Sequence, residues 1–240
     1  MNSLFVTGTD TDVGKTVVTA ALVATARAAG RDVVPMKPVQ TGCIEHDGQL
    51  SAPDLDLVLR MAGLSAEERS AEEQALMCPY RFIPPCSPHL AALQAQQPIS
   101  LNRIGDALKS LQAVHDAVIV EGAGGCRVPL GPTADMRDLA CELDLDVVVA
   151  ARPGLGTLNH TLMTVESLLR VGLTVAAVVI VQSTEDPIGI IEQDNLFTIG
   201  DRTGIAVLGP IPFISDLADP DFTPAQFKDI VTPFLNTLVT

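Results

Sequence analysis

A chain of 240 residues is long enough for one domain with a full core, or at most for two small ones. Hydrophobic residues make up 47% and aromatics only 3%, with no Trp, so the core is built from Val, Leu, Ile and Ala, which suits a parallel sheet covered by helices. A formal net charge of −14 argues against nucleic acid and anionic membrane surfaces as partners.

The first apolar run, Leu4-Phe5-Val6, leads into Gly8-Thr-Asp-Thr-Asp-Val-Gly-Lys-Thr16, and a helix is expected over 16–29. Strand, Gly-containing loop and helix in that order form a phosphate-binding loop. The helix N-terminus offers free N–H groups and a positive dipole end. Gly14 permits close backbone approach, Lys15 supplies a point charge and Thr16 a hydroxyl able to ligate Mg2+. Five residues separate Gly8 from Gly14 instead of the usual four, so Thr9 takes the first Gly position. Asp10-Thr11-Asp12 makes the loop acidic for a triphosphate cradle.

Strands are expected over 3–7, 33–37, 116–121, 145–151, 173–181 and 205–209. Runs such as Ala117-Val118-Ile119-Val120 mark strands buried on both faces. Helix starts are signalled by Ser87-Pro88, Ser100 (for a helix reaching 114) and Thr223-Pro224, with a further helix over 157–171. Alternating strands and helices imply a mostly parallel sheet flanked by helices, a three-layer α/β/α architecture of P-loop NTPase type in a single domain over 1–240. Ligands of such sheets sit at the carboxyl ends of the strands.

Those ends hold the charged and Gly-rich turns. Only four lysines occur, and two of them, Lys15 and Lys37, fall there. Glu121 is expected to end a strand and to work on the metal held by the loop hydroxyl, with Gly-Ala-Gly-Gly behind it for backbone approach. Asp54 and Asp56 fall in a first helical turn and cannot be separated by pattern. Ser87-Pro88-His89 reads as a helix start with a surface His, and His160 has no catalytic role. The five cysteines form no C-x-x-C pair and read as ordinary reduced residues of a cytoplasmic protein. No basic segment followed by an apolar stretch opens the chain, so no secretory signal is expected. With no Ser-His-Asp order and no His/Cys cluster, the chemistry points to phosphoryl transfer.

The loop 8–16, Lys37-Pro-Val-x-Thr-Gly42, Asp54, Pro79-Tyr80-x-Phe82, Ser87-Pro-His89, Glu121-Gly-Ala-Gly-Gly125 and Gly156-Thr-Leu-Asn-His160 together resemble the signature of ATP-dependent dethiobiotin synthetases, in family order over most of the chain. The resemblance implies a ligase that joins diaminopelargonic acid and CO2, driven by ATP, through a carbamate and a mixed carbamic–phosphoric anhydride. It implies catalytic roles for Lys37, Lys15 and Thr11, and Mg2+ on Thr16, Asp54 and Glu121. Nucleotide contacts fall to Asp12, Val13, Gly14, Lys15, Thr16, Val17, Asp54, Glu121, Gly122, Ala123 and Gly124, and beyond them to Val181, Gln182, Pro212, Phe213 and Ile214. The diamine falls to Thr11, Lys37, Thr41 and Gly124, with Gly156, Thr157 and Asn159 gripping its carboxylate from the partner of a homodimer.

Val179-Ile-Val-Gln-Ser-Thr184 departs from the family's Asn-Asp at the base site, with Val181 or Gln182 in the Asn position. Looser base selection is expected, CTP or GTP competing with ATP. Residues 216–223 match the family weakly and read as an acidic flap or a plain surface loop. A rival is a nucleotide-driven switch of the partition type, which shares the fold but carries an extra Lys early in the loop; here those positions are Thr9, Asp10 and Thr11. A cobyrinate-type amide ligase would need a glutaminase domain for which 240 residues leave no room.

Overall fold

The computed structural model describes residues 2–65 and 69–239. Its elements in chain order are β1 (Leu4–Gly8), α1 (Lys15–Ala28), β2 (Val33–Met36), β3 (Val39–Thr41), β4 (Ile44–His46), β5 (Gln49–Ser51), α2 (Pro53–Met61), α3 (Ala71–Met77), β6 (Tyr80–Phe82), α4 (Pro88–Gln94) and α5 (Leu101–Gln112). There follow β7 (Ala117–Gly125), α6 (Met136–Leu143), β8 (Asp146–Ala151), α7 (Thr157–Leu169), β9 (Val175–Val181), α8 (Ile190–Thr203), β10 (Val207–Ile211), a 3-10 turn (Ser215–Ala218) and α9 (Pro224–Val239).

Six strands form one parallel sheet in the order β10-β9-β8-β1-β7-β2. β1 lies in its interior, with Leu4 opposite Ile119 on one side and Asp146 on the other. Every residue of β1 is buried, as its apolar run demands. Helix α1 packs on the sheet and against α2 and α9, while α7 packs with α8 and α5 with α6. Phe5 and Leu22 are fully buried between these layers, each contributing about 2 kcal/mol by removal from water. Two small pairings lie outside the main sheet. β3 runs parallel to β6, and β4 and β5 form a hairpin whose Asp47-Gly48 turn has φ of 51° and 77°, the backbone that a two-residue hairpin turn needs.

The six expected strands are the six of the main sheet, with shifted ends. β7 runs on to Gly125, so Glu121 lies inside the strand, paired in register with Val6, and does not end it. β10 starts and ends two residues later than expected, and its Pro210 is tolerated because β10 is an edge strand. Ser100 caps α5 by accepting the Arg103 N–H at 3.3 Å. Ser87 sits at the N-cap of α4 without a side-chain cap bond, and Pro88 takes the first turn. Helices α2, α3, α6 and α8 and strands β3–β6 are not among the expected elements, although the first turn of α2 is. The segment 216–223, expected as an acidic flap or a plain surface loop, is held at its start by the 3-10 turn and by the Arg60 guanidinium, which donates to the Asp219 carbonyl at 2.7 Å.

Candidate active site

The phosphate loop leaves β1 at Gly8 and enters α1 at Gly14. Gly14 has φ of 90°, and a Cβ there would lie 2.7 Å from Cβ of Val181, so only Gly fits. The Thr9 N–H bonds the Ala150 carbonyl at 3.0 Å, which pins the loop to β8. Lys15 is buried and donates to the Asp10 carbonyl at 2.8 Å. Asp10 accepts the Thr11 N–H at 2.7 Å and faces Arg152 at 3.8 Å. The acidic loop is therefore partly self-compensated.

Beside the loop lies an ion cluster built on the buried Lys37 and Glu121 and the half-buried Asp54. Lys37, one residue past β2, places Nζ 2.7 Å from Asp54 Oδ2 and 2.7 Å from Glu121 Oε1. Thr16 Oγ1 donates to the same Glu121 oxygen at 2.9 Å, and Gln40 Nε2 steadies Asp54 at 3.3 Å. Burial works to lower the Lys37 pKa, but the carboxylates of Glu121 and Asp54 outweigh it and hold the ammonium above its ordinary value. Lys15 goes the other way: burial, then the neighbouring Lys37 charge, push its pKa below the ordinary value, only partly opposed by Glu121, Asp54 and Asp12. Four elements supply this cluster: the ends of β2 and α1, the first turn of α2 and the interior of β7.

Thr16, Asp54 and Glu121 fit a Mg2+ ion by their chemistry. Mg2+ takes hard oxygen ligands, one or two carboxylates together with water and substrate phosphates. The described residues offer one hydroxyl and two carboxylates here, and no group of three or more His, Cys, Asp or Glu that would suit a softer metal. Burial raises the thiol of Cys78 to about 11, which disfavours its thiolate.

A cavity of about 680 Å³ opens over this cluster. Thr11, Asp12, Gly14, Lys15, Thr16, Val17, Lys37, Thr41, Asp54, Glu121, Ala123 and Gly124 of the expected site line it, joined by Gln40 and Ser87. Gly122 lies just below, its carbonyl 3.4 Å from Lys37 Nζ. Gly124 has φ of 63°, and a Cβ there would strike Val128 at 2.7 Å. On the other side of Gly14 a cleft of about 190 Å³ is lined by Asp12, Val13, Val17, Val181, Gln182, Pro212, Phe213, Ile214 and Leu217. Its walls are mostly apolar. The amide of Gln182 is turned to the Asp186 carbonyl at 2.9 Å, and its backbone N–H to the Ile211 carbonyl at 2.9 Å.

Gly156, Thr157 and Asn159 stand apart from both hollows, at the start of α7. Gly156 and Asn159 are exposed, but the Thr157 hydroxyl is buried against that of Thr161 at 3.2 Å and is not presented outward. His89 is exposed and borders a separate hollow with Leu93, Pro98 and Leu130. Asp56 is exposed and has Arg81, not Lys37, as its cationic neighbour, so the structure separates it from Asp54. Tyr80 has a packing role, stacking on Phe82 and accepting the Ser100 N–H at 2.9 Å. Gln40 and Arg152 fall in strand-end turns that the pattern marks, but the sequence assigned neither a role; Gln40 meets Asp54 and Arg152 faces Asp10.

A family model described as an AAA domain matches residues 2–221. The ATP-dependent dethiobiotin synthetase BioD of Anaeromyxobacter sp. (strain Fw109-5) is 48% identical over 221 residues, 91% of this chain and 93% of its own. The chain belongs to the ATP-dependent dethiobiotin synthetase family. Other dethiobiotin synthetases agree, that of Rhodococcus jostii (strain RHA1) at 42% identity over 88% of this chain and 87% of its own, and that of Anoxybacillus flavithermus (strain DSM 21510 / WK1) at 36% over 91% and 95%. The expected ligase class and P-loop fold therefore hold. Among solved structures, the Aquifex aeolicus MinC:MinD cell division complex matches with a TM-score of 0.62 at 13% identity, covering 99% of this chain and 96% of that one. A ParA family ATPase from Chlorobium tepidum TLS matches at 0.56 and 13%, covering 97% and 98%. At that identity they share this chain's fold alone. No helix among the described residues is long and apolar enough to cross a membrane.

Proposed function

We propose that this chain closes the ureido ring of dethiobiotin from diaminopelargonic acid, CO2 and a nucleoside triphosphate. The observation that carries the reading is Lys37 held between Asp54 and Glu121 in the cavity that also contains the phosphate loop. One amine of the substrate adds to CO2 and loses a proton, giving a carbamate. A carbamate oxygen attacks the γ-phosphorus, and the bond to the bridging oxygen breaks, that oxygen leaving on the diphosphate with the electron pair. The second amine then attacks the carbamate carbon, the C–O bond to phosphate breaks, and phosphate departs as the amine loses a proton.

Two anions must approach each other in this scheme, and the buried Lys15 and Lys37 at the floor of the cavity offset their repulsion. Thr16, Asp54 and Glu121 would hold Mg2+, which supplies further positive charge to the phosphates. Thr11, Thr41 and Gly124 would position the diamine beside Lys37. Leu155 and Met163, 93% and 61% exposed around α7, favour a homodimer in which Gly156 and Asn159 of one subunit reach the carboxylate tail bound by the other. The apolar cleft around Phe213, with the Gln182 amide engaged elsewhere, favours loose base selection, so CTP and GTP compete with ATP. The setting expected for such an enzyme is the cytoplasm.

The test is phosphate release by the purified chain with Mg2+ and bicarbonate, with and without the diamine, on ATP and then CTP. Release that depends on the diamine is the expected result. Release indifferent to it would leave a switch ATPase of the partition type.

A further inference from the structure

Arg60 stands in the last turn of α2, six positions after Asp54 in the first. Its Nη1 donates to the Asp219 carbonyl at 2.7 Å and its Nη2 to the carbonyl of Leu217. These carbonyls belong to the 3-10 turn Ser215–Ala218 and the residue that follows it. Leu217 and the preceding Phe213 and Ile214 form one wall of the small cleft beside Gly14. That wall is a surface segment leaving an edge strand, and Phe213 is 42% exposed. A segment of this kind keeps a fixed shape only where something grips its backbone. Guanidinium donors in a rigid planar fork hold two neighbouring carbonyls in a fixed geometry, which a single-point ammonium on a flexible stem does not pre-organise.

We propose that Arg60 is a positioning residue for the nucleotide base. It fixes the turn so that Phe213, Ile214 and Leu217 close the cleft, and it ties this wall to the helix whose first turn carries Asp54. The inference rests on the reading that this cleft receives the base. Without Arg60 the wall is disordered before binding, and a nucleotide must order it with a loss of affinity. A ligand that has phosphates but no base meets only the loop, Lys15 and Thr16, and is indifferent to the change.

The experiment is calorimetric titration of the full chain with ATP and with inorganic tripolyphosphate, both with Mg2+. Arg60→Ala is expected to raise the Kd for ATP about tenfold, equivalent to about 1.4 kcal/mol, with tripolyphosphate unchanged. In turnover assays KM for ATP rises while kcat at saturation stays within about twofold. Arg60→Lys, which keeps the charge but lacks the rigid fork, gives an intermediate loss and reads the same split should the Ala variant not fold. Wild-type ATP binding in these variants overturns the proposal, and so do equal losses for both ligands. Phe213→Ala tests the base site independently. An ATP-selective loss there with none in Arg60→Ala removes the role of Arg60 while the base assignment stands. No ATP-selective loss in either removes the base assignment, and the role of Arg60 with it.

Discussion

Strands β2 and β7 run side by side and carry paired charges at both ends, with opposite consequences. At the amino end, Asp32 and Asp116 precede the two strands and meet Arg27 and Arg31 at 3.0 and 3.6 Å, with His115 2.7 Å from Asp32 and 3.2 Å from Glu73. The Arg27 and Asp32 side chains are 32% and 52% exposed, so water screens the attraction. Burial raises the Asp32 pKa, but hydrogen bonds from His115 and Arg27 outweigh it and the net displacement is downward. Past the carboxyl end of β2, Lys37 meets Glu121 in the interior of β7; their side chains are 5% and 2% exposed, and the same two types of charge are shut away from water. A buried pair contributes little to stability, because apolar residues of equal volume often do as well. Its presence here therefore points to chemistry, while the exposed cluster serves the surface.

Breaking the buried end produces the largest expected effect. Lys37→Ala lowers kcat on the order of 10² to 10³-fold or beyond, as loss of a preorganised cation at a developing charge does, in a fold that circular dichroism finds intact. Lys37→Met also leaves Glu121 buried without its partner, which costs about 3 kcal/mol by urea denaturation, and Glu121→Leu in addition regains most of it. A double variant no more stable than Lys37→Met would mean that the pair is ordinary structure.

Next in size is the pH response of nucleotide binding. Since the Lys15 pKa lies below its ordinary 10.5 in the free protein, the ammonium is lost at lower pH than from an unperturbed Lys. Bound phosphate favours the charged form, so Kd for ATP rises as pH climbs through that lowered value. Lys15→Arg, charged throughout, flattens the alkaline limb of the profile. At the exposed end the expected effect is smallest. Arg31→Ala, at the pair with Asp116 whose side chains are 36% and 52% exposed, changes unfolding free energy by no more than about 1 kcal/mol and leaves kcat and KM unaltered. A loss of activity there would erase the contrast between the two ends.

Much of the frame was legible because it is local. Ala117–Val120 and Val147–Ala151 could be read as strands since a strand buried on both faces must be apolar throughout. The short helices α3 and α4, of seven residues each, hold too few turns to show a period, and only the Ser87-Pro88 start signalled α4. β3 and β6 have three residues each and exist because they pair with one another, in the register Val39 to Tyr80. The Asp54 and Asp56 ambiguity has the same origin. Both acids suit a first helical turn, but two positions apart on a helix they point roughly 200° from each other, and only the packing of α2 says which faces Lys37.

The phosphate loop was written in consecutive residues: a strand, a glycine at the turn into the helix, a lysine and a hydroxyl. Neighbours in the chain are bound to meet, so pattern alone sufficed for it. The cluster around Lys37 is of the other kind. Lys37 meets Glu121 across 84 positions of chain, because β2 and β7 pair in parallel with Met36 beside Val120. Asp54 joins them only because α2 packs beside β2 and α1. Contacts between distant residues are set by strand register and helix packing, which no local pattern encodes; the family resemblance implied a shared site, and tertiary structure decided that Lys37 sits between these two carboxylates.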